Sequence, residues 1–271
     1  MPVLYSRVRL DACTRAVAGI LRDTQLVESA LARSGHAIQV KRRLLTPGDE
    51  IRISARLAPG VKVLLRTSVD AVSLGGLASS LVSGPLSYLE HVATIAGDGA
   101  LLEVHDEVRW AGPLLTRRCV RDVLAARAHM LTERVAALAE TPVIVATALL
   151  RDGRVLIAQR TRPAALAGLW ELPGGRVEPG ESEAAAVARE CHEELGARVS
   201  AVGRVGTDLP IDAGVLRVHT ARLEPGSPEP TALEHAGLRW LGPTEMDAVA
   251  WVEADQAVVA DLRDLLTTGD R

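Results

Sequence analysis

The sequence predicts an α+β chain of two domains, and three observations carry that prediction. The chain has 271 residues, enough for two cores at roughly 100 to 200 residues per domain. Its first half is a series of amphipathic strands that ends in one long helix. Its second half sets strands around a helix that follows a Gly- and Pro-rich loop. Apolar residues make up 48% of the chain with no Phe, four Trp and two Tyr, so both cores are expected to be packed from Leu, Val, Ile and Ala.

Composition also excludes several function classes. Lys and Arg number 31 against 34 Asp and Glu, a net charge of -3, so no basic field is available to hold nucleic acid. The scarcity of aromatic residues removes the stacking platforms that bind single strands. No run of about 18 apolar residues and no cleavable amino-terminal signal is present, so neither membrane spanning nor export is expected. Cys13, Cys119 and Cys191 are odd in number and form no CxxC pair, which suits a reduced compartment and a cytoplasmic location.

Taken in order, Val3 to Leu10 reads as a strand, and 12–33 as two short helices separated near Asp23-Thr24. Ile38 to Leu45, Glu50 to Leu57 and Val61 to Ser68 alternate apolar with polar residues, divided by Thr46-Pro47-Gly48-Asp49 and Pro59-Gly60. Tyr88 to Ile95 and Leu101 to Trp110 form a hairpin about Gly97-Asp98-Gly99. Leu115 to Leu138 is a long amphipathic helix. The first half is therefore a curved antiparallel sheet closed by that helix. Pro142 follows and a new strand pair begins, 143–150 and 154–159, which places the boundary near residue 141 and the domains at 1–140 and 141–271. A loop from Pro173 to Gly180, a helix from Ser182 to Leu195 stopped by Gly196, strands at 199–205 and 215–223, a strand ending at Trp240 and a helix at 255–266 complete the chain.

The chemistry-bearing stretch is Gly174-Gly175-Arg176-Val177-Glu178-Pro179-Gly180-Glu181, followed by a helix that ends Arg189-Glu190-Cys191-His192-Glu193-Glu194-Leu195-Gly196. On that helix Glu190, Glu193 and Glu194 stand at i, i+3 and i+4, share a face and repel by about 0.2 to 0.5 kcal/mol per pair. Arg189 is expected to point elsewhere, oriented by Glu181, which leaves three carboxylates for a cation. An all-oxygen donor set suits a hard ion, Mg2+ or Mn2+. A solvated acidic helix face is the plain alternative.

The whole spacing closely resembles the Nudix box, and Gly168-Leu169-Trp170-Glu171-Leu172-Pro173-Gly174-Gly175 is similar to the MutT branch of those hydrolases, in particular its cytidine-triphosphate-acting members. The resemblance covers 142–268 and implies an α/β/α sandwich with a mixed sheet. It further implies that Glu190, Glu193, Glu194 and the Gly174 carbonyl hold Mg2+, with Mn2+ able to substitute, while Glu181 and Arg189 support the loop and helix. The implied reaction is hydrolysis of a nucleoside triphosphate to the monophosphate and pyrophosphate. Cys191 departs from the pattern, standing where an aliphatic residue is usual, and reads as packing.

Outside the box, the resemblance offers Glu234 as a further metal ligand or base, against an ordinary loop carboxylate. It offers Arg160 as a nucleotide contact, against a solvated strand end. Asp255 aligns with the residue that meets the base, against a helix N-cap worth about 1 kcal/mol. A carboxylate only accepts hydrogen bonds, which suits the amino group of cytosine, so dCTP, CTP or their 5-methyl forms are expected over 8-oxo-dGTP. Trp170 and Trp251 read as core residues, and His192 and His235 as exposed polar positions.

The element order of the first half, with Asp106-Glu107-Val108-Arg109-Trp110 entering the helix through Gly112-Pro113, resembles the START-like superfamily. That implies a helix-grip domain, its sheet wrapped about the long helix, and a small apolar ligand as a possible partner. His91, Glu103 and His105 are expected on the wet face of their strands. Three functions remain in contention: a metal-dependent pyrophosphohydrolase, a non-catalytic sensor, and an apolar-ligand-binding protein with a regulatory second domain.

Overall fold

The computed structural model describes residues 1–58, 61–97, 101–112 and 117–268. The chain divides into two compact units: Met1–Glu140 with Thr207–Pro210, and Thr141–Gly206 with Ile211–Arg271. No helix among the described residues is long and apolar enough to cross a membrane. The connectors expected at Pro59-Gly60 and Asp98-Gly99, Pro113, and the first residues expected for the long helix, Leu115 and Thr116, lie outside the described residues.

The first unit runs β1 (Val3–Asp11), α1 (Thr14–Leu21), α2 (Thr24–Arg33), β2 (Ala37–Gln39), β3 (Glu50–Ala58), β4 (Val61–Ser73), β5 (Gly76–Ser83), β6 (Tyr88–Ala96), β7 (Leu101–Ala111) and α3 (Arg117–Ala139). Its strands form one curled antiparallel sheet in the order β1-β7-β6-β5-β4-β3-β2. Asp23 caps α2 by accepting from the Gln25 N–H at 3.0 Å, the role expected of an acid at a helix start. Two expectations fail here. The strand foreseen at 38–45 shrinks to three residues, because Leu44 and Leu45 are both buried, and successive inward residues break the two-residue period of a strand. The strand β5 was not foreseen at all; its sequence, Gly-Leu-Ala-Ser-Ser-Leu-Val-Ser, is poor in β-formers and is ordered by pairing with β4 and β6.

The buried stripe of α3 is Val120, Leu124, Arg127, Leu131, Val135 and Leu138, spaced at three or four residues as a core-facing helix requires. Val120 and Leu124 pack with Val108 and Trp110 of β7. A charged residue, Arg127, lies in the middle of that stripe. His91 is a further correction: it is not on the wet face but lines an interior cavity and bonds the buried Asp106 at 2.8 Å. His105 and Glu103 pair with one another at 3.0 Å.

The second unit contains β8 (Val143–Arg151), β9 (Arg154–Gln159), β10 (Trp170–Glu171), β11 (Gly174–Arg176), α4 (Glu183–Leu195), most of β12 (Val199–Ile211, whose residues Thr207–Pro210 group with the first unit), β13 (Gly214–Leu223), β14 (Gly237–Leu241), a single 3-10 turn at Met246–Ala248, α5 (Glu253–Gln256) and α6 (Val259–Thr268). The sheet order is β10-β9-β8-β13-β12, with β11 on β8 and β14 on β9. It is mixed, since β13 runs parallel to β8 while β11 runs antiparallel to it. Ser182 caps α4 through the Ala185 N–H at 3.2 Å, and Gly196 ends it in the left-handed region at φ 64, where a residue without Cβ is favoured. Val187, Cys191 and Leu195 seat the helix against Val145, Leu149 and Leu156. Burial pushes the Cys191 thiol up to about 12, consistent with packing rather than reactivity. The single helix foreseen at 255–266 is two pieces, α5 and α6.

Leu131 is fully buried, so Leu131→Ala is expected to lower the unfolding free energy of the first unit by about 2 to 5 kcal/mol. Urea denaturation followed by circular dichroism checks this. A loss below about 1 kcal/mol would mean that α3 is not packed on the sheet.

Candidate functional site

The site is built on α4 and the loop before it. Arg189 organises the carboxylates. Its Nε and Nη2 donate to the two oxygens of Glu181 at 3.0 and 3.1 Å, and Nη2 also donates to the Arg176 carbonyl at 2.8 Å. Its Nη1 reaches Glu190 at 2.8 Å and Glu193 at 3.3 Å. This corrects the sequence reading, in which Arg189 left all three helix carboxylates free; a guanidinium offers five donors and serves Glu181 and its own helix together. The pairing holds the Glu181 carboxyl below its usual range.

Glu194 stands apart from that fork. It accepts from the Gly174 N–H at 3.0 Å, and burial, only partly offset by the charge of His235, pushes its carboxyl up to about 7. Burial also raises Glu190, against the pull of Arg189. The glycines before the helix are required by close approach. A Cβ on Gly174 would lie 2.1 Å from the Val145 carbonyl oxygen, and one on Gly175 would lie 2.2 Å from Glu190 Oε1.

A second group surrounds β10. Glu171 accepts from Arg160 Nη1 and pairs with His235 Nε2 at 3.3 Å. Arg160 Nε donates to the Arg162 carbonyl at 3.0 Å. The His235 side chain is only 6% exposed, which overturns its reading as an exposed polar residue. Burial alone would lower its pKa, but the bond to Glu171 and the charge of Glu194 raise it. Its Nδ1 is buried without a partner among the described residues. Asp255 is likewise not a helix cap: it lies inside α5, is 4% exposed and accepts from the Leu172 N–H at 3.2 Å. Burial first, and then the charge of Glu171, push its carboxyl up to about 7.

Glu171 and His235 were missed as candidates. They lie 64 residues apart in the chain, so no local spacing joins them; the one available signal was the acid inside Trp170-Glu171-Leu172. Glu234 belongs to another set of contacts, with its carboxylate on Arg162 at 2.9 Å and its carbonyl on the Thr161 hydroxyl at 3.1 Å. Trp251 is buried and donates from Nε1 to the Met246 carbonyl at 2.8 Å.

Among the described residues no three His, Cys, Asp or Glu side chains are gathered in metal-holding geometry, since Arg189 spans two of the helix carboxylates. The donor chemistry nevertheless fits a hard cation. Glu190, Glu193 and Glu194 offer only oxygen, and the raised carboxyls of Glu190 and Glu194 mark a desolvation cost that a nearby positive ion relieves.

Comparison with known proteins places these features in a family. The family model described as NUDIX domain matches residues 141–264. A protein named "Putative 8-oxo-dGTP diphosphatase 2" from Mycobacterium tuberculosis is 48% identical over 124 residues, covering 44% of this chain and 86% of the relative. The "CTP pyrophosphohydrolase" of Escherichia coli is 36% identical over 103 residues, covering 38% of this chain and 76% of that protein. Among solved structures, the solution structure of the E. coli ORF135 protein matches with 31% identity and a TM-score of 0.41, covering 48% of this chain and 92% of that one.

Asp255 has a folded-state pKa of about 7 against an ordinary 3.8. Its contribution to stability is therefore fully present below about pH 4 and is lost as pH rises through about 7. Asp255→Asn keeps an acceptor for the Leu172 N–H and removes the titration. Urea unfolding between pH 4 and 8 should show the parent losing a few kcal/mol relative to the variant, at about 1.4 kcal/mol per pKa unit. Parallel stability curves would sink the assignment of a buried acid.

Proposed function

The chain belongs to the Nudix family, and from that premise we propose that it is a nucleoside triphosphate pyrophosphohydrolase dependent on Mg2+, with Mn2+ able to substitute, acting on dCTP, CTP or their 5-methyl forms. That it is a Nudix pyrophosphohydrolase rests on the family match and on relatives of the MutT type. The observation that carries the catalytic reading is the last two turns of α4, where Glu190, Glu193 and Glu194 flank Arg189 beside Gly174 and Gly175.

Glu190, Glu193, Glu194 and the Gly174 carbonyl would hold the cation, with Glu234 as a further carboxylate once it exchanges its Arg162 partner. A divalent ion there supplies neutralisation of phosphate charge and a lowered pKa for the attacking water. Arg189 keeps the loop and helix in register through Glu181 and the Arg176 carbonyl. Glu194, with its Oε2 on the Gly174 N–H and a pKa of about 7, has Oε1 to take or hold a proton near neutral pH. Arg160 uses Nη1 on Glu171 and Nε on the Arg162 carbonyl, which leaves Nη2 for the nucleotide.

Asp255 supports the cytosine assignment, with a condition that burial adds. Ionised, it only accepts and suits the N4 amino group; protonated, it can also donate to a purine oxygen. Cytosine preference should therefore strengthen as pH rises through about 7. The reading as an 8-oxo-dGTP hydrolase is favoured by the more similar M. tuberculosis relative, whose name carries that substrate. For the first unit we retain the helix-grip reading, a curled sheet that holds a long helix over an apolar interior and takes a small ligand.

Pyrophosphate release from a triphosphate panel with Mg2+ tests the whole. dCTP or CTP is expected to turn over faster than 8-oxo-dGTP, more so at pH 8 than at pH 6. Glu193→Gln should lose on the order of 10²- to 10³-fold in kcat, and Asp255→Asn should shift base choice by about tenfold, within the 1 to 3 kcal/mol of a good base contact. An unchanged Glu193→Gln rate would remove the metal assignment; a preference for 8-oxo-dGTP would remove the base assignment.

A further inference from the structure

The first unit contains a cavity of about 160 Å³ beneath α3, and its walls are mainly aliphatic, with Leu31, Ile53, Leu65, Leu77 and Leu124 among them. A depression on the surface lies where the end of α2, the far end of β3 and the first turns of α3 meet. Arg33, Arg56, Arg118 and Asp122 line it. Two residues, His36 and Cys119, belong to both walls. These two side chains therefore stand between the interior space and the water outside.

The partition is weak. Arg56 donates its backbone N–H to His36 Nδ1 at 3.1 Å, so Nδ1 is an acceptor and the proton of the neutral ring sits on Nε2, which faces Cys119 Sγ at 3.5 Å. Burial lowers the pKa of His36 and raises that of the Cys119 thiol, which keeps both groups uncharged. A neutral N–H against sulfur, a poor acceptor, is a contact that the small Cys119 side chain leaves at little cost. The charge outside the partition is one-sided. Asp122, the one acid of the outer wall, pairs with Arg118 and with Arg121, each at 3.9 Å. Arg33 and Arg56 are exposed and bring two charges that no acid of that wall offsets. Inside, the charge of Arg127 is already met by Asp106, so an anionic group is better placed at the mouth than within. Size sets the apolar part, for a dry cavity of about 150 Å³ accepts benzene, a six-carbon molecule.

We propose that this cavity holds the alkyl part of a short amphipathic anion, about six carbons long, whose carboxylate stays in water at the His36–Cys119 mouth beside Arg33 and Arg56. The inference rests on the reading of the first unit as a ligand holder and adds the way in, the head group and the residues that meet it. Burial of the alkyl chain supplies the affinity, and the two arginines select the head group.

Titration calorimetry on the full chain with hexanoate, 1-hexanol and hexylamine tests this. Hexanoate is expected to bind about three- to tenfold tighter than 1-hexanol, the range that two exposed ion pairs give, and hexylamine more weakly than either. Salt at about 1 M should close the gap, because exposed charges are screened. The double variant Arg33→Gln/Arg56→Gln changes two exposed side chains, keeps the Arg56 N–H on His36 and should bind hexanoate and 1-hexanol alike. Hexanoate should also slow alkylation of Cys119 by N-ethylmaleimide, followed on its own peptide by mass spectrometry. A preference for hexanoate that survives in the double variant places the head group elsewhere and overturns the inference, as does a Cys119 that saturating hexanoate leaves unprotected. Equal binding of hexanoate and 1-hexanol by the parent overturns the anionic class while leaving an apolar holder. Binding of none of the three overturns both this inference and the ligand-holder reading.

Discussion

The rotation of α4 about its own axis is the constraint on which the site depends. Val187, Cys191 and Leu195 are fully buried, and they allow only one orientation of the helix on the sheet. With that orientation fixed, Glu190 and Glu194 are carried toward the interior while Glu193 remains half in water, its side chain 53% exposed. The helix thus imposes desolvation on two of its three acids, and packing at Cys191, one of the least polar positions in the stretch, sets the proton affinity of its neighbours. A carboxyl raised to about 7 is a consequence of where three apolar side chains had to go.

Arg189 shows why helix spacing alone gave an incomplete picture of the electrostatics. Its fork on Glu181 was legible, since Glu181 stands just before the helix that carries Arg189. Its reach to Glu190 and Glu193 was not, because a residue-level face ignores the length of a guanidinium side chain and its five donors. The same distinction between what is local and what is assembled runs through the fold. The caps of α4 at Ser182 and Gly196, the start of α2 at Asp23 and the long stripe of α3 are short-range patterns, and the sequence stated each of them. The strand β5 and the Glu171–His235 pair owe their order to partners distant in the chain, and Asp255 left its expected cap because its carboxyl accepts from Leu172, 83 residues away. Strand propensity reflects packing against neighbours more than an intrinsic preference, so a serine-rich strand between two others leaves little trace in its own residues.

Buried polar groups appear in both units, and the balance of charge around them differs. In the first unit one acid, Asp106, meets one guanidinium, Arg127, with His91 on the same oxygen. Both Asp106 Oδ2 and Arg127 Nη2 of that pair are buried without a hydrogen-bond partner among the described residues, so a donor and an acceptor are left over side by side.

Around α4 and β10 the balance is different. Glu171, Glu181, Glu190, Glu193, Glu194 and Asp255 face Arg160, Arg189 and His235. Partial protonation of Glu194 and Asp255 near neutral pH reduces the excess of acid but does not remove it. A region that can shed negative charge only by taking up protons has a standing affinity for cations, and a polyanionic substrate can approach it only in the company of metal. The same excess explains why the arginines are held so firmly: Arg189 by three carboxylates and Arg160 by Glu171, each fixed in place rather than free to neutralise the acids by moving. Reversing that balance, with more guanidinium than carboxylate, would attract a polyanion without any cation and forfeit the means by which a bound cation lowers the pKa of water.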